Sequence, residues 1–209
     1  MRADLLARRD LHYAGATLDA AAEHARGLAA SLGLAFLEDG ASDAQLAGTG
    51  TIAQELQEAG SDVVIVPLAC GALAGGMARV LKKSARPPWI AGVQSAAFPR
   101  FGALWHGEPD PGVSTDASYA GGLADSRIVE PAFGACQAFL DDVMAVDDDA
   151  LRVATRTLHE HTDIVVEGAG AAPLAALQAQ PERIPAGRTV LVLSGGNLDP
   201  EVAAEVLGR

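Results

Sequence analysis

The chain has 209 residues, of which 49% are hydrophobic, so it is long enough for one domain with a sizeable core. Its formal net charge of −12 argues against binding to nucleic acid or to an anionic membrane, because both partners require a basic face. Its two cysteines, Cys70 and Cys136, follow neither a disulfide nor a metal-ligand spacing, so we expect a reducing, cytoplasmic setting.

Two helices and a polar turn are predicted in the amino-terminal segment. Charges in the first ten residues are followed by no long apolar stretch, so a signal peptide is not expected, and no run reaches the roughly 18 apolar residues of a membrane span. An Ala/Leu pattern predicts a helix over 16–32 that ends at Gly33. A polar turn is predicted over 38–43 and a second helix over 51–58.

From residue 62 onward, apolar runs alternate with helical segments. Strands are predicted over 62–67, 89–93, 142–146, 164–167 and 189–193. Helices are predicted over 73–83, after the aspartates 147–149, over 171–179 and over 199–207. Residues 107–127 are rich in Gly, Pro, Asp and Ser and predict a long connection. The alternation predicts an α/β fold of three layers, with helices covering both faces of a mostly parallel sheet.

Three glycine-rich turns follow predicted strands, at 69–76, 168–170 and 194–196. Ligands of open α/β sheets bind beyond the carboxyl ends of the strands, so three such turns predict a cofactor crevice. The alternative, that the glycines only form tight turns, stays open. The first turn leads into a helix whose backbone amides can bind a phosphate, although it lacks the Gly-Lys-Ser/Thr of a P-loop.

Side chains that could act as nucleophiles or metal ligands are poorly placed. The only lysines, Lys82 and Lys83, are predicted at an exposed helix end, whereas a Schiff-base lysine needs a desolvated pocket, so we expect no catalytic lysine here. Within 159–161, two histidines stand two residues apart and do not share a helix face, so no metal site is predicted. Cys70 has no identifiable base and is interpreted as a packing residue.

Five segments, in chain order, resemble the fold-type-II enzymes that use pyridoxal 5'-phosphate. The first, Leu46–Ile52, is similar to the family's A-G-Q-G-T-I segment, and Val66–Leu73 is similar to its phosphate loop. Ala120–Ala124 resembles A-D-G-[LI]-A with glycine in place of aspartate. Glu167–Ala172 resembles V-E-P-A-G-A-A with Gly168 in place of proline, and Ser194–Asn197 matches S-G-G-N. From about residue 11 to 201, the chain resembles the later portion of threonine/serine ammonia-lyases, serine racemase and the tryptophan synthase beta-like enzymes.

The resemblance implies a fold and a set of cofactor contacts. Residues 1–37 would be the remainder of the small lobe, and residues 38–209 an incomplete large lobe that binds pyridoxal 5'-phosphate. Ser194 would hydrogen-bond the pyridine nitrogen, with Gly195 in the same motif, and Glu167 would lie near the ring edge. The phosphate would be held by the backbone amides of Ala69, Cys70, Gly71 and Ala72. Residues 94–96 stand where some members place an acidic metal ligand, so no metal is expected there.

The family's lysine motif, S-x-K-x-R-G, and its substrate-carboxylate loop, S-x-G-N, have no counterpart in this sequence. The family's reaction is elimination of the hydroxyl of a β-hydroxy amino acid to give a 2-oxo acid and ammonia, and we expect the isolated chain not to catalyse it. An amino-acid substrate is expected only when a separate polypeptide supplies the amino-terminal lobe. A pseudoenzyme, a subunit of a split enzyme and a truncated chain all stay open, as does a homo-oligomer.

Overall fold

The computed structural model describes residues 12–114, 116–198, 200 and 203–204, which form two compact units divided between Glu38 and Asp39. In the first unit, helix α1 (Leu18–Leu32) begins at Thr17, whose Oγ1 accepts a hydrogen bond from the amide of Ala20 at 3.2 Å. It ends at Gly33 with φ 65°, as the sequence predicts. The assignment of residues 1–37 and 38–209 to the two lobes of the enzyme family stays a prediction.

The second unit alternates helices and strands along the chain. Its helices are α2 (Asp43–Ala59), α3 (Ala72–Leu81), α4 (Arg100–Trp105), α5 (Ala132–Phe139), α6 (Asp148–Thr162) and α7 (Gly168–Ala179). Its strands are β1 (Val63–Pro67), β2 (Trp89–Ser95), β3 (Asp142–Val146) and β4 (Thr189–Leu191). Short 3₁₀ turns lie at Gly121–Leu123 and Pro181–Arg183. In the part of the chain that the structure describes, no helix is long and apolar enough to cross a membrane.

The four described strands form one parallel sheet in the order β3-β2-β1-β4. Val64 of β1 pairs with Ile90 of β2 on one side and with Val190 of β4 on the other, and Gly92 of β2 pairs with Val143 of β3. The predicted parallel α/β architecture is confirmed. Its carboxyl ends lie along one edge, as parallel strands require.

Alternating side chains of β1 divide the core into two clusters. Val63 and Ile65 pack in the cluster that holds buried residues of α6 and α7. Val64 and Val66 pack in the other, with buried residues of α2 to α5. Because successive strand residues point to opposite faces, the β-branched run 63–66 is buried on both sides and gives the three layers expected.

Helix α2 begins eight residues before the predicted start at 51. The run Gly48-Thr49-Gly50 has low helix propensity, which is why the sequence indicated a later start. The same small residues allow α2 to approach α3 closely: a Cβ on Gly76 would lie 1.9 Å from Thr49 Oγ1. Close packing therefore stabilises a helical turn that propensity alone disfavours.

The predicted strand over 164–167 is wrong. Residues 163–167 join α6 to α7 outside the described sheet, and Ile164 and Val165 are 46% and 42% exposed. A β-branched run forms a strand only where a neighbouring strand pairs with it through backbone hydrogen bonds. Here the amide of Glu167 donates a hydrogen bond to Gly195 O at 3.3 Å, and Gly195 lies outside the described strands. Helices α4 and α5 were not predicted, and the predicted helix 199–207 lies largely outside the described residues.

Candidate functional site

A cavity of about 150 Å³ lies beyond the carboxyl ends of β1 and β4. It is lined by Asp39, Pro67, Ala69, Cys70, Gly71, Ala72, Leu73, Gly122, Leu123 and Ser194. The loop after β1 and the segment after β4 thus meet at one crevice, at the sheet edge where the sequence predicts one.

The β1–α3 loop depends on Gly71, which is the residue preceding α3 and has φ 93°. A Cβ on Gly71 would lie 3.0 Å from the ring of Phe101 and 3.1 Å from Cys136 Sγ, so a larger residue would strain the backbone and would have to displace these neighbours. On the other side, Thr49 Oγ1 donates a hydrogen bond to Ala72 O at 2.9 Å. The amino end of α3, with the positive end of its dipole, is therefore held firmly at the cavity wall.

Cys70 is buried in this wall and hydrogen-bonds within it. Its Sγ donates to Asp39 Oδ2 at 3.5 Å and accepts from the amide of Ala72. Burial, together with the nearby carboxylates of Asp39 and Asp125, raises the pKa of the Cys70 thiol to about 11. Cys70 therefore stays protonated at neutral pH and does not act as a nucleophile.

Ser194 is positioned by a glycine of α7. A Cβ on Gly170 would lie 2.2 Å from Ser194 O, so the backbone of the segment after β4 rests directly on this helix. This contact accounts for glycine at a position inside a helix, where it otherwise costs stability.

Glu167 lies beside the cavity, next to two further glycines. A Cβ on Gly195, which has φ 81°, would lie 2.3 Å from Glu167 Oε1, and a Cβ on Gly122 would lie 3.2 Å from the same atom. The carboxylate of Glu167 is thus near both Gly122 and the Ser194 segment, although it does not line the cavity. Of the three predicted glycine-rich turns, 69–76 and 194–196 meet at the cavity, whereas residues 168–170 form the start of helix α7 and contact the Ser194 segment without lining the cavity.

Asp39 is the residue of the cavity wall that sequence reasoning missed. It falls in the polar segment 38–43, where the sequence predicts only a turn. No motif marks it, and its place beside Cys70 follows from the packing of Gly40, whose Cβ would lie 3.6 Å from Cys70 Sγ. A carboxylate in this wall disfavours anions, which no pattern in the sequence indicated.

Neither lysine reaches the cavity. Lys82 follows the carboxyl end of α3, and its Nζ donates to Pro88 O at 2.8 Å and pairs with the carboxylate of Asp141. The ten residues of α3 span roughly 15 Å, so Lys82 lies at the opposite end of this helix from Gly71. In the described ranges no group of three His, Cys, Asp or Glu residues is arranged to hold a metal ion.

Residues 4–195 match the family model described as "Pyridoxal-phosphate dependent enzyme". An L-threonine ammonia-lyase of Geobacter sulfurreducens is 33% identical over 166 residues, which cover 78% of this chain and 41% of that protein. The catabolic L-threonine dehydratase of Escherichia coli is 32% identical over 167 residues, or 78% of this chain and 51% of that protein. The chain thus spans about half the length, or less, of these curated relatives.

Solved structures agree with the sequence matches. The processed form of threonine deaminase isoform 2 from Solanum lycopersicum superposes with a TM-score of 0.84 at 26% identity, covering 95% of this chain and 55% of that chain. Maize serine racemase superposes with a TM-score of 0.86 at 21% identity, covering 96% of this chain and 63% of that chain, which supports the fold alone.

Proposed function

This chain belongs to the pyridoxal-phosphate-dependent enzyme family, and we propose that it provides the cofactor-binding part of an ammonia-lyase acting on a small hydroxy amino acid. The observation that carries the proposal is the crevice itself, where the amino end of α3 and Ser194 line one cavity at the carboxyl ends of β1 and β4. The threonine ammonia-lyases and dehydratases among the relatives support this choice of reaction.

The amino end of α3 fits the phosphate of the cofactor. Backbone amides at a helix start bind anions without any net positive charge, which suits a chain with a net charge of −12. The amides of Ala69, Cys70, Gly71 and Ala72 are the proposed donors. This wall is expected to bind phosphate less strongly than a loop made of glycines alone. The Cys70 thiol accepts a hydrogen bond from the Ala72 amide, and Asp39 adds a negative charge to the cavity.

Ser194 fits the opposite end of the cofactor, the pyridine nitrogen. Pyridoxal 5'-phosphate supplies an electron sink that stabilises a carbanion on the substrate. A serine hydroxyl can donate a hydrogen bond to the nitrogen but cannot hold it protonated as a carboxylate would. The cofactor ring therefore withdraws electrons from the substrate less strongly, which favours β-elimination over transamination. Glu167 is proposed to lie near the ring edge, beside Gly195.

Among the described residues, no side-chain amine that could hold the cofactor covalently lies in the crevice. Both lysines lie beyond the far end of α3, and Lys82 is already paired with Asp141. We therefore propose that the reacting lysine comes from polypeptide outside these 209 residues, in the same protein or in a partner. Without it, the chain is proposed to bind the cofactor weakly and to be inactive.

Two measurements on the purified chain test this function. Calorimetric titration with 4'-deoxypyridoxine phosphate, which lacks the reactive aldehyde, should give weak one-to-one binding. Ser194→Ala should weaken this binding about three- to tenfold, the contribution of one hydrogen bond. Ser31→Ala, on the exposed face of α1, is the matched control and should change nothing.

The second measurement is reduction with borohydride in the presence of pyridoxal 5'-phosphate, followed by mass spectrometry. No stoichiometric adduct is expected at one lysine. A single-site adduct on Lys82 or Lys83 would contradict the proposed role of an external lysine.

A non-catalytic role is the second candidate, and the size of the cavity favours it. Ligand pockets for drug-sized molecules have volumes of about 300–1,000 Å³, whereas the crevice measures about 150 Å³. A failure of 4'-deoxypyridoxine phosphate to bind would support this candidate and overturn the first.

A further inference from the structure

A second and larger cleft lies at the opposite edge of the sheet. Its volume is about 580 Å³, within the range typical of small-molecule sites. Asp62 and Arg188, which immediately precede β1 and β4, form part of its wall. The other lining residues are Leu56, Gln57, Gly60, Ser61, Leu81, Ser84, Ala85, Arg86 and Pro88.

The cleft is separate from the crevice of the proposed cofactor. Asp62 stands at the amino end of β1 and Ala69 beyond its carboxyl end, and five strand residues at about 3.3 Å each separate them by roughly 17 Å. No residue is shared between the two sets of lining residues. A ligand in one does not displace a ligand in the other.

The charges in the cleft favour an anion. The carboxylate of Asp62 accepts a hydrogen bond from the backbone amide of Arg188 at 2.9 Å and lies 3.5 Å from the Arg86 guanidinium. Its charge is therefore compensated within the protein. Among the described residues, no carboxylate pairs with the Arg188 guanidinium, and the Arg86 side chain is 91% exposed. Arg86 and Arg188 both line this cleft, and a single guanidinium can bind a carboxylate through two parallel hydrogen bonds.

The remaining wall is mixed, with an apolar part and a polar group. Leu81 and Pro88 are buried and Leu56 is half-buried, so they offer apolar surface to the body of a ligand. Ser84 Oγ is buried and makes no hydrogen bond to any other described residue. An unpaired buried hydroxyl costs free energy.

We propose that this cleft binds a small monocarboxylate with an apolar body, with its carboxylate on Arg188 and Arg86 and its carbon chain against Leu56, Leu81 and Pro88. The assignment does not depend on the cofactor or on catalysis. It gives the chain a second small-molecule site, at the amino ends of the strands.

Calorimetric titration with hexanoate tests the site directly. Saturable binding of one hexanoate is expected, and hexan-1-ol, which has the same carbon chain without the charge, should bind at least tenfold more weakly. Arg188→Ala should weaken hexanoate at least tenfold, equivalent to about 1.4 kcal/mol. This variant retains the backbone amide that donates a hydrogen bond to Asp62, so the fold should be preserved. Circular dichroism measures whether the secondary structure is unchanged.

Arg156→Ala, on the exposed surface of α6, is the matched control and should leave hexanoate binding unchanged. Arg86→Ala is a second test, and because this side chain is almost fully exposed its loss should not affect folding. Equal binding of hexanoate to the parent chain, Arg188→Ala and Arg86→Ala would overturn the proposal. So would equal affinity for hexan-1-ol, or no binding of hexanoate at millimolar concentration. Titration of Arg188→Ala with 4'-deoxypyridoxine phosphate should match the parent chain, which separates this site from the crevice.

Discussion

Two glycines decide the shape of the crevice at the scale of single residues. Gly71 has a backbone conformation that other residues rarely adopt, and its missing side chain leaves room for Phe101 and Cys136. Gly170 has ordinary helical geometry, yet its missing side chain lets Ser194 lie against α7. The sequence marks both as glycine-rich turns, but only the packing shows that they are needed for different reasons.

Gly170→Ala is expected to destabilise the chain by about 1–3 kcal/mol, because the new Cβ would lie 2.2 Å from Ser194 O and force the segment to shift. Urea unfolding measures this free energy. Gly48→Ala is the matched control, since it lies in α2 with nothing within 4 Å of its Cβ, and it should raise stability by up to about 1 kcal/mol. Equal effects of the two changes would contradict the close contact between α7 and Ser194.

Cys70 links stability to alkaline pH. Burial raises the pKa of its thiol from 9.0 to about 11, so the folded state holds this proton over a pH range in which the unfolded state releases it. The contribution of Cys70 is fully present below pH 9 and is lost as the pH rises towards 11. The shift corresponds to roughly 2–3 kcal/mol.

We therefore expect the free energy of unfolding to fall between pH 9 and 11, and to fall less in Cys70→Ala. Urea unfolding of both proteins across this range gives the difference in stability, in which the effects of other titrating groups cancel. One such group is Cys136, because burial raises the pKa of its thiol as well. Parallel pH profiles for the two proteins would show that the Cys70 proton is not held by the fold.

At the scale of elements, the sequence predicts best where one physical signal is sufficient. A β-branched run buried on both faces predicted β1, the apolar segment 89–93 predicted β2, and the aspartates of 147–149 correctly marked the start of α6. Helices α4 and α5 escaped prediction because they are only six and eight residues long and have no side-chain cap. The error at 164–167 has another cause, since strand propensity says nothing about which neighbour completes a ladder.

Within the candidate site, the glycine loops followed from motifs, whereas Asp39 did not. A wall residue contributed by a turn about 30 positions from its hydrogen-bond partner Cys70 depends on tertiary packing. Sequence patterns report local structure, and this pair is not local.

The start of α6 offers a direct test of a cap. Asp147 Oδ1 accepts a hydrogen bond from the amide of Ala150 at 2.8 Å. Because Asp147→Ala removes this cap, it should lower the free energy of unfolding by about 1 kcal/mol. Asp149→Ala, at the fully exposed side chain two residues later, removes the same charge without a cap and should cost only a few tenths of a kcal/mol. Thermal unfolding measures the stability of the two variants. Equal losses of stability would mean that Asp147 acts only through its charge near the helix dipole and not as a cap.

At the scale of the whole molecule, apolar surface is exposed in both units. Helix α1 contains no buried residue, and Leu32, Leu34 and Leu37 of the first unit are more than half exposed. In the second unit Ile164 and Val165 are exposed as well. Contiguous apolar surface is uncommon on monomers and promotes association.

The isolated chain is therefore expected to self-associate or to bind a polypeptide that covers these residues. Light scattering over a concentration series measures the mass directly. Leu34→Lys together with Leu37→Lys should reduce association, and the exposed change Ser31→Lys is the control. A monodisperse monomer that binds no hydrophobic dye would contradict this expectation.

The order of the strands has a consequence for the motion of the crevice. β2 lies between two neighbours, whereas β4 has three residues and, in the described part of the sheet, pairs only with β1. Strand β1 also has a neighbour on each side. Amide hydrogen exchange should therefore be slowest in β1 and β2, which open only when the whole unit unfolds, and fastest in β4, which can detach locally. The wall formed by α3 then behaves as the fixed side of the crevice, and the wall that carries Ser194 as the side that opens to admit a ligand.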